Sequence, residues 1–112
     1  MTEKVPADHL LDISRISREF RKIAALHGWQ EYHTPKNIAA AIAVEAGELL
    51  AEFQWLNPEE SARLSVEQKG RVSDEIADVF MYLVELSHRL DIDIQSALDS
   101  KILKNNQRFG AK

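Results

Sequence analysis

No cysteine occurs anywhere in the 112 residues, which excludes a disulfide scaffold and thiolate metal ligands and fits a reducing cytoplasm, the expected location. Positive charge is also in short supply. Fourteen Lys and Arg against eighteen Asp and Glu leave a net charge of −4 with a pI near 5.5, which speaks against a groove for polymeric nucleic acid. The N-terminal MTEKVPADHLL has no uninterrupted apolar run and no charged-then-apolar leader pattern, so neither a signal peptide nor a membrane span is expected. Strand alternation and low-complexity linkers are absent as well. What remains is 45% hydrophobic and 29% charged, the balance of a globular chain. Residues 1–112 make one domain, small enough for its apolar faces to need a partner.

The chain is organised around Ile38 to Leu56, IAAAIAVEAGELLAEFQWL, and an echo at Val72 to Leu86, VSDEIADVFMYLVEL. In the first stretch the only charged side chains are Glu45, Glu48 and Glu52, which share one stripe of a helix at i, i+3 and i+7. Its far side carries Ala40, Val44, Gly47 and Ala51, so this helix is expected to be covered nearly all round, with its carboxylates facing a cleft. In the echo Glu75 and Asp78 repeat the i, i+3 pair, Tyr82 stands where Glu52 stood, and Glu85 lies one turn further. Acidic residues on helices usually just face water. Here, however, two like charges about 4 Å apart would repel by roughly 4 kcal/mol at an effective dielectric constant near 20, against a whole stability margin of about 5–15 kcal/mol. Four clustered carboxylates need protons or cations. An all-oxygen donor set suits a hard ion, Mg²⁺ or Mn²⁺. Magnesium keeps waters and completes its shell with substrate phosphates, so such a site points to phosphate esters. Gly47 costs about 1 kcal/mol against alanine in mid-helix, which suggests close approach of another backbone there.

Along the chain, Leu10, Ile13, Ile16, Phe20, Ile23 and Leu26 recur at three and four, predicting an amphipathic helix from Asp8 to His27 that Gly28 ends. Thr34-Pro35 opens a helix expected to run to about Leu56. Asn57-Pro58-Glu59-Glu60 repeats the start signal for a short helical turn, and Ser65 to Gln68 is a capping box for a helix to about Leu90. A fourth long helix restarts at Asp91 to Asp93 and turns Ile94, Leu98 and Ile102 inward, while Lys101, Lys104, Asn105 and Arg108 share its other side. The expected fold is all-α: a compact bundle of four main helices, completed by oligomerisation.

WQEYHTPKNIAAAIAVEAGELLAEFQW, DEIADVFMYLVEL and KILKNNQRFG together resemble the MazG-like nucleoside triphosphate pyrophosphohydrolases, and within them the small dCTP pyrophosphatase branch. The motifs are Glu45-Ala-Gly-Glu48 followed by Glu75-Ile-Ala-Asp78. The resemblance implies Mg²⁺-dependent cleavage between the α and β phosphates, giving a nucleoside monophosphate and pyrophosphate in nucleotide-pool cleaning. It implies Glu45, Glu48, Glu75 and Asp78 as metal ligands, with Glu48 as candidate general base. Trp29 and Trp55 would enclose the base, Asn105 would read its edge, and His33, Lys36, Tyr82 and Lys101 would lie near sugar or phosphate. It also implies sites built between subunits, hence a homodimer or a homotetramer made of two dimers.

One departure stands out. Where the animal dCTP pyrophosphatases place a histidine facing the base, this chain has Phe20, and a phenyl ring offers stacking without the polar partner that reading a base edge requires. Two other functions compete with the hydrolase. Glu85-Leu-Ser-His88 resembles half of a di-iron carboxylate motif, but that architecture needs two such motifs. A non-catalytic helical oligomerisation module requires the acidic pairs to be incidental.

Overall fold

Five helices and a 3-10 turn account for most of residues 10–110, the part of the chain that the computed structural model describes. Helix α1 is Ile13–Leu26, the 3-10 turn Trp29–Tyr32, α2 Pro35–Ala51, the single-turn α3 Pro58–Ser61, α4 Val66–Arg89 and α5 Ile94–Phe109. No strand occurs among the described residues. Asp8 and the leader reading of the N-terminus lie outside them, but Leu10, Leu11 and Asp12 are described and not helical, so α1, capped by the extended Asp12, starts at Ile13 rather than at Asp8. Among the described residues, no helix is long and apolar enough to cross a membrane.

Each helix begins where a short polar side chain can satisfy an amide that the helix leaves free. Asp12 accepts from Arg15 N, Thr34 from Asn37 N ahead of Pro35, and Asp93 from Ser96 N. Asn57 with Glu60 and Ser65 with Gln68 form reciprocal capping boxes. The breaks are equally local. Gly28 takes a left-handed φ of 68° after α1 and Asp91 one of 55° after α4, a region that glycine and, less readily, aspartate enter. Helix α2 stops at Ala51 rather than at Leu56. Glu52 N and Phe53 N bond back to the carbonyls of Leu49 and Leu50, which tightens the last turn into a 3-10 form, and Asn57 must be extended ahead of Pro58.

Helix α4 is the spine, with α2 packed along it and α1 packed on it less extensively, while α5 has almost no packing against the rest. The buried apolar side chains are Ala24, Ile38 and Val84, joined by Ser17 and Glu85. Three expectations fail here. Ala40, Val44, Gly47 and Ala51 are exposed, so α2 is not covered all round. Leu98 and Ile102 on α5 are 52% and 56% exposed rather than turned inward. The bundle is open, with a Cα radius of gyration of 16.8 Å against about 13 Å for a compact chain of this length. The cause is common to all three: the apolar faces of α2 and α5 have no counterpart among the described residues.

The α2–α4 pair is fixed at its ends by unlike contacts. Ile38 is fully buried near the start of α2, and Arg71 Nε donates to Glu52 Oε1 at 3.0 Å at its end. Ile38→Ala is expected to cost about 2–5 kcal/mol, and Glu52→Gln, whose partner is more than half exposed, about 1 kcal/mol or less; urea melts of the two variants give the comparison.

Candidate functional site

The i, i+3 spacing on two packed helices brings acidic side chains into one cleft. One carboxylate oxygen each from Glu45 and Glu48 of α2 and Glu75 of α4 lie within 4.8 Å of one another. Glu45 Oε2 and Glu75 Oε2 are buried and have no hydrogen-bond partner. Burial first, then the adjacent Glu48 carboxyl and the charge of Asp78, push Glu45 up to about 7. Burial and the Glu48 charge likewise raise Glu75. Asp78 lies outside the close trio, yet its charge raises Glu45, Glu75 and the Tyr82 phenol. A buried carboxylate oxygen without a donor is costly, and three oxygens at this spacing offer a hard cation what it coordinates.

Aromatic rings line up beside the acids. Phe20 stacks on His33 at 5.8 Å and meets Tyr82 edge-on at 5.2 Å. Trp29 tilts against His33 at 6.1 Å and stacks on His27 at 4.9 Å. Tyr82 joins this wall to the carboxylates, since burial, then the charges of Glu45 and Asp78, push its phenol up. His33 Nδ1 is buried without a partner, the one orphaned polar atom in the wall. The His27–Trp29 pair was not expected from sequence. Its only signal is Gly28, whose left-handed φ reverses the chain between the two rings.

Other candidate residues are not gathered here. Lys36 is exposed in the first turn of α2, Trp55 is 87% exposed, and Lys101 and Asn105 are exposed on the largely unpacked α5. Glu52 is held by Arg71. Glu85 is buried and held by Arg89 at 3.1 Å, while His88 is exposed, so Glu85 and His88 form no metal-capable group among the described residues. Gly47 has open space where a Cβ would stand, so no backbone among the described residues approaches it.

The model of the MazG-like family matches residues 40–112, a span that includes both acidic pairs. The chain belongs to the MazG-like family. Its relatives include dCTP pyrophosphatase 1 of Rattus norvegicus, 37% identical over 106 residues, and that of Homo sapiens, 35% identical over 108. These alignments take in 93% and 95% of this chain but only 61% and 62% of those proteins. The crystal structure of a pyrophosphatase from Archaeoglobus fulgidus is similar with a TM-score of 0.82 and 34% identity, over 96% of this chain and 100% of that one.

The raised Glu45 fixes how the metal-free MazG-like domain responds to pH. Between the ordinary 4.5 and about 7 the folded state holds a proton that the unfolded chain releases, so stability falls as pH rises through that window. Thermal melts in chelator should show the decline, with a shallower slope in Glu45→Gln.

Proposed function

We propose that the chain is a Mg²⁺-dependent nucleoside triphosphate pyrophosphohydrolase that cleaves between the α and β phosphates, acting on dCTP-like nucleotides among others. The observation that carries this reading is the trio Glu45, Glu48 and Glu75 with two buried, donorless oxygens beside a wall of aromatic rings. The relatives named dCTP pyrophosphatase 1 and the similar pyrophosphatase structure support it. Orphaned carboxylate oxygens fit a hard divalent ion, Mg²⁺ or Mn²⁺, held by Glu45, Glu48 and Glu75 with Asp78 beside them. When bound, such an ion neutralises phosphate charge and lowers the pKa of a coordinated water.

The protein's own groups do the rest. Exposed Glu48 is placed to take a proton from attacking water, while Trp29 and Phe20 give a base a stacking surface. His33 Nδ1 offers that base or its sugar an unused hydrogen-bond position. Lys101 and Asn105 complete the site from α5 of a second copy, in a dimer or in a tetramer of two dimers; the uncovered apolar side of α5 supports this arrangement. Its place of work on this reading is the cytoplasm.

Two measurements test the reading. With Mg²⁺ and a panel of nucleoside triphosphates, monophosphate and pyrophosphate should appear in equal amounts. Glu45→Gln, Glu48→Gln and Asp78→Asn should each reduce turnover about a hundredfold or more. Undiminished turnover in those variants removes the assignment. For assembly, light scattering should report a dimer or tetramer, and Leu98→Asp on α5 should shift it toward monomer.

A further inference from the structure

A second cavity, of about 490 Å³, opens between the first turns of α1 and α5 and the last turns of α4. Its volume falls within the range of roughly 300–1,000 Å³ typical of small-molecule sites. Of its α4 wall residues, Val84 lies six residues beyond Asp78, about 9 Å along the helix at 1.5 Å per residue, with Ser87 and His88 further on, and none of Glu45, Glu48, Glu75 or Asp78 lines it. It is therefore separate from the carboxylate cluster. The polar lining joins two guanidinium groups, Arg18 and Arg21, to the hydroxyls of Ser14, Ser17 and Ser87 and to the His88 imidazole, with the Gln95 amide donating to Asp99. Among the described residues, Arg18, Arg21 and His88 have no carboxylate within salt-bridge distance.

Three further observations point to an anion. Ser17 is 7% exposed, lines the cavity, and its Oγ is buried without a partner. Arg21 Nε donates to Ser17 O at 3.3 Å, which holds that guanidinium at the wall. Two helix N-termini converge: Ile13 and Ser14 open α1, Ile94 and Gln95 open α5, and all four line the cavity. Asp12 and Asp93 cap only the amides of Arg15 and Ser96, which leaves earlier amides of both first turns for a ligand. The lone acid in the lining is Asp93, engaged in that cap. Buried Glu85 does not line the space and is bonded to Arg89. At the α4 end, the amides of Leu90, Asp91 and Ile92 occupy the carbonyls of Leu86, His88 and Ser87, so the helix terminus presents little free negative potential.

We infer that this cavity is a second site, for a phosphate-bearing small molecule, remote from the carboxylate cluster. Its ligand chemistry is independent of whether the acidic site hydrolyses nucleotides. Calorimetric titration of the full chain in chelator, with inorganic phosphate and separately with a nucleoside monophosphate, tests it, because without a cation the acidic cluster repels phosphate. Saturable binding is expected, with shifted His88 imidazole resonances. Tighter binding of the monophosphate would identify an organic phosphate as the occupant, and equal or tighter binding of phosphate the free ion. Arg18→Gln and Arg21→Gln should each weaken binding about tenfold or more, while Glu48→Gln leaves it unchanged. Circular dichroism of the arginine variants shows that they remain helical. No saturable binding of either probe, full binding in both arginine variants, or loss in Glu48→Gln would overturn the inference.

Discussion

Repulsion between carboxylates held at close range is the constraint that the helix pair α2–α4 has to withstand. Left to themselves, Glu45, Glu48 and Glu75 would swing into water, yet one oxygen of each stays within 4.8 Å of the others. The backbone allows little escape. Thr34 and Ser65 fix where the two helices begin, Ile38 buries near the start of α2, and Arg71 fastens Glu52 at its end. With the rods fixed, burial first and then the neighbouring carboxyls raise proton affinity, and Glu45 rises to about 7. A carboxylate poised there exchanges its proton for a cation near neutral pH at little cost.

The open architecture follows from how little one chain can cover. Val44, Leu50, Leu98, Ile102 and Leu103 are all more than half exposed, and fully burying a side chain of this kind is worth about 1.5–3 kcal/mol. Several together rival the whole stability of a small domain. A helix such as α5, exposed on nearly every side, keeps its place more firmly when another surface closes on it. The proposed second copy thus links stability to site completion, because Lys101 and Asn105 lie on that same helix.

Helix existence and most helix starts were legible in the sequence, because a 3.6-residue period and an Asp, Ser, Thr or Asn ahead of it are local signals; Thr34, Asn57, Ser65 and Asp93 cap as their positions suggest, whereas the first helix is capped by Asp12 rather than started at Asp8. The convergence of Glu45, Glu48 and Glu75 was legible too, since i, i+3 pairs on apolar helices have few places to face. The sequence did not disclose which faces meet. Helix α2 is apolar almost everywhere, so its pattern names no direction, and the side carrying Ala40 and Val44 is bare because nothing within the chain covers it. Glu52 and Glu85 share stripes with the cluster, but arginines hold both. Arg89 follows Glu85 at i+4 and was readable as a helix pair, whereas Arg71 meets Glu52 across nineteen residues, a distance no local pattern spans.

The chemistry of the aromatic wall bears on what the proposed enzyme selects. Stacking on Trp29 and Phe20 is worth about 1–3 kcal/mol per base and depends little on which base it is, because every base has a π-face. Discrimination of about 10⁴-fold or more comes instead from buried polar groups left unpaired by the wrong ligand. Among the described residues of this wall the orphaned buried polar atom is His33 Nδ1, and Phe20 offers a phenyl ring with no polar group. A single hydrogen-bond position cannot tell four bases apart by itself, since each presents an edge that can meet one imidazole. On the proposed reading, the described residues of one chain therefore favour polyphosphate and cation first and distinguish the base weakly. On that reading strict base choice draws on further polar groups, and Asn105 of the proposed second copy carries both a donor and an acceptor.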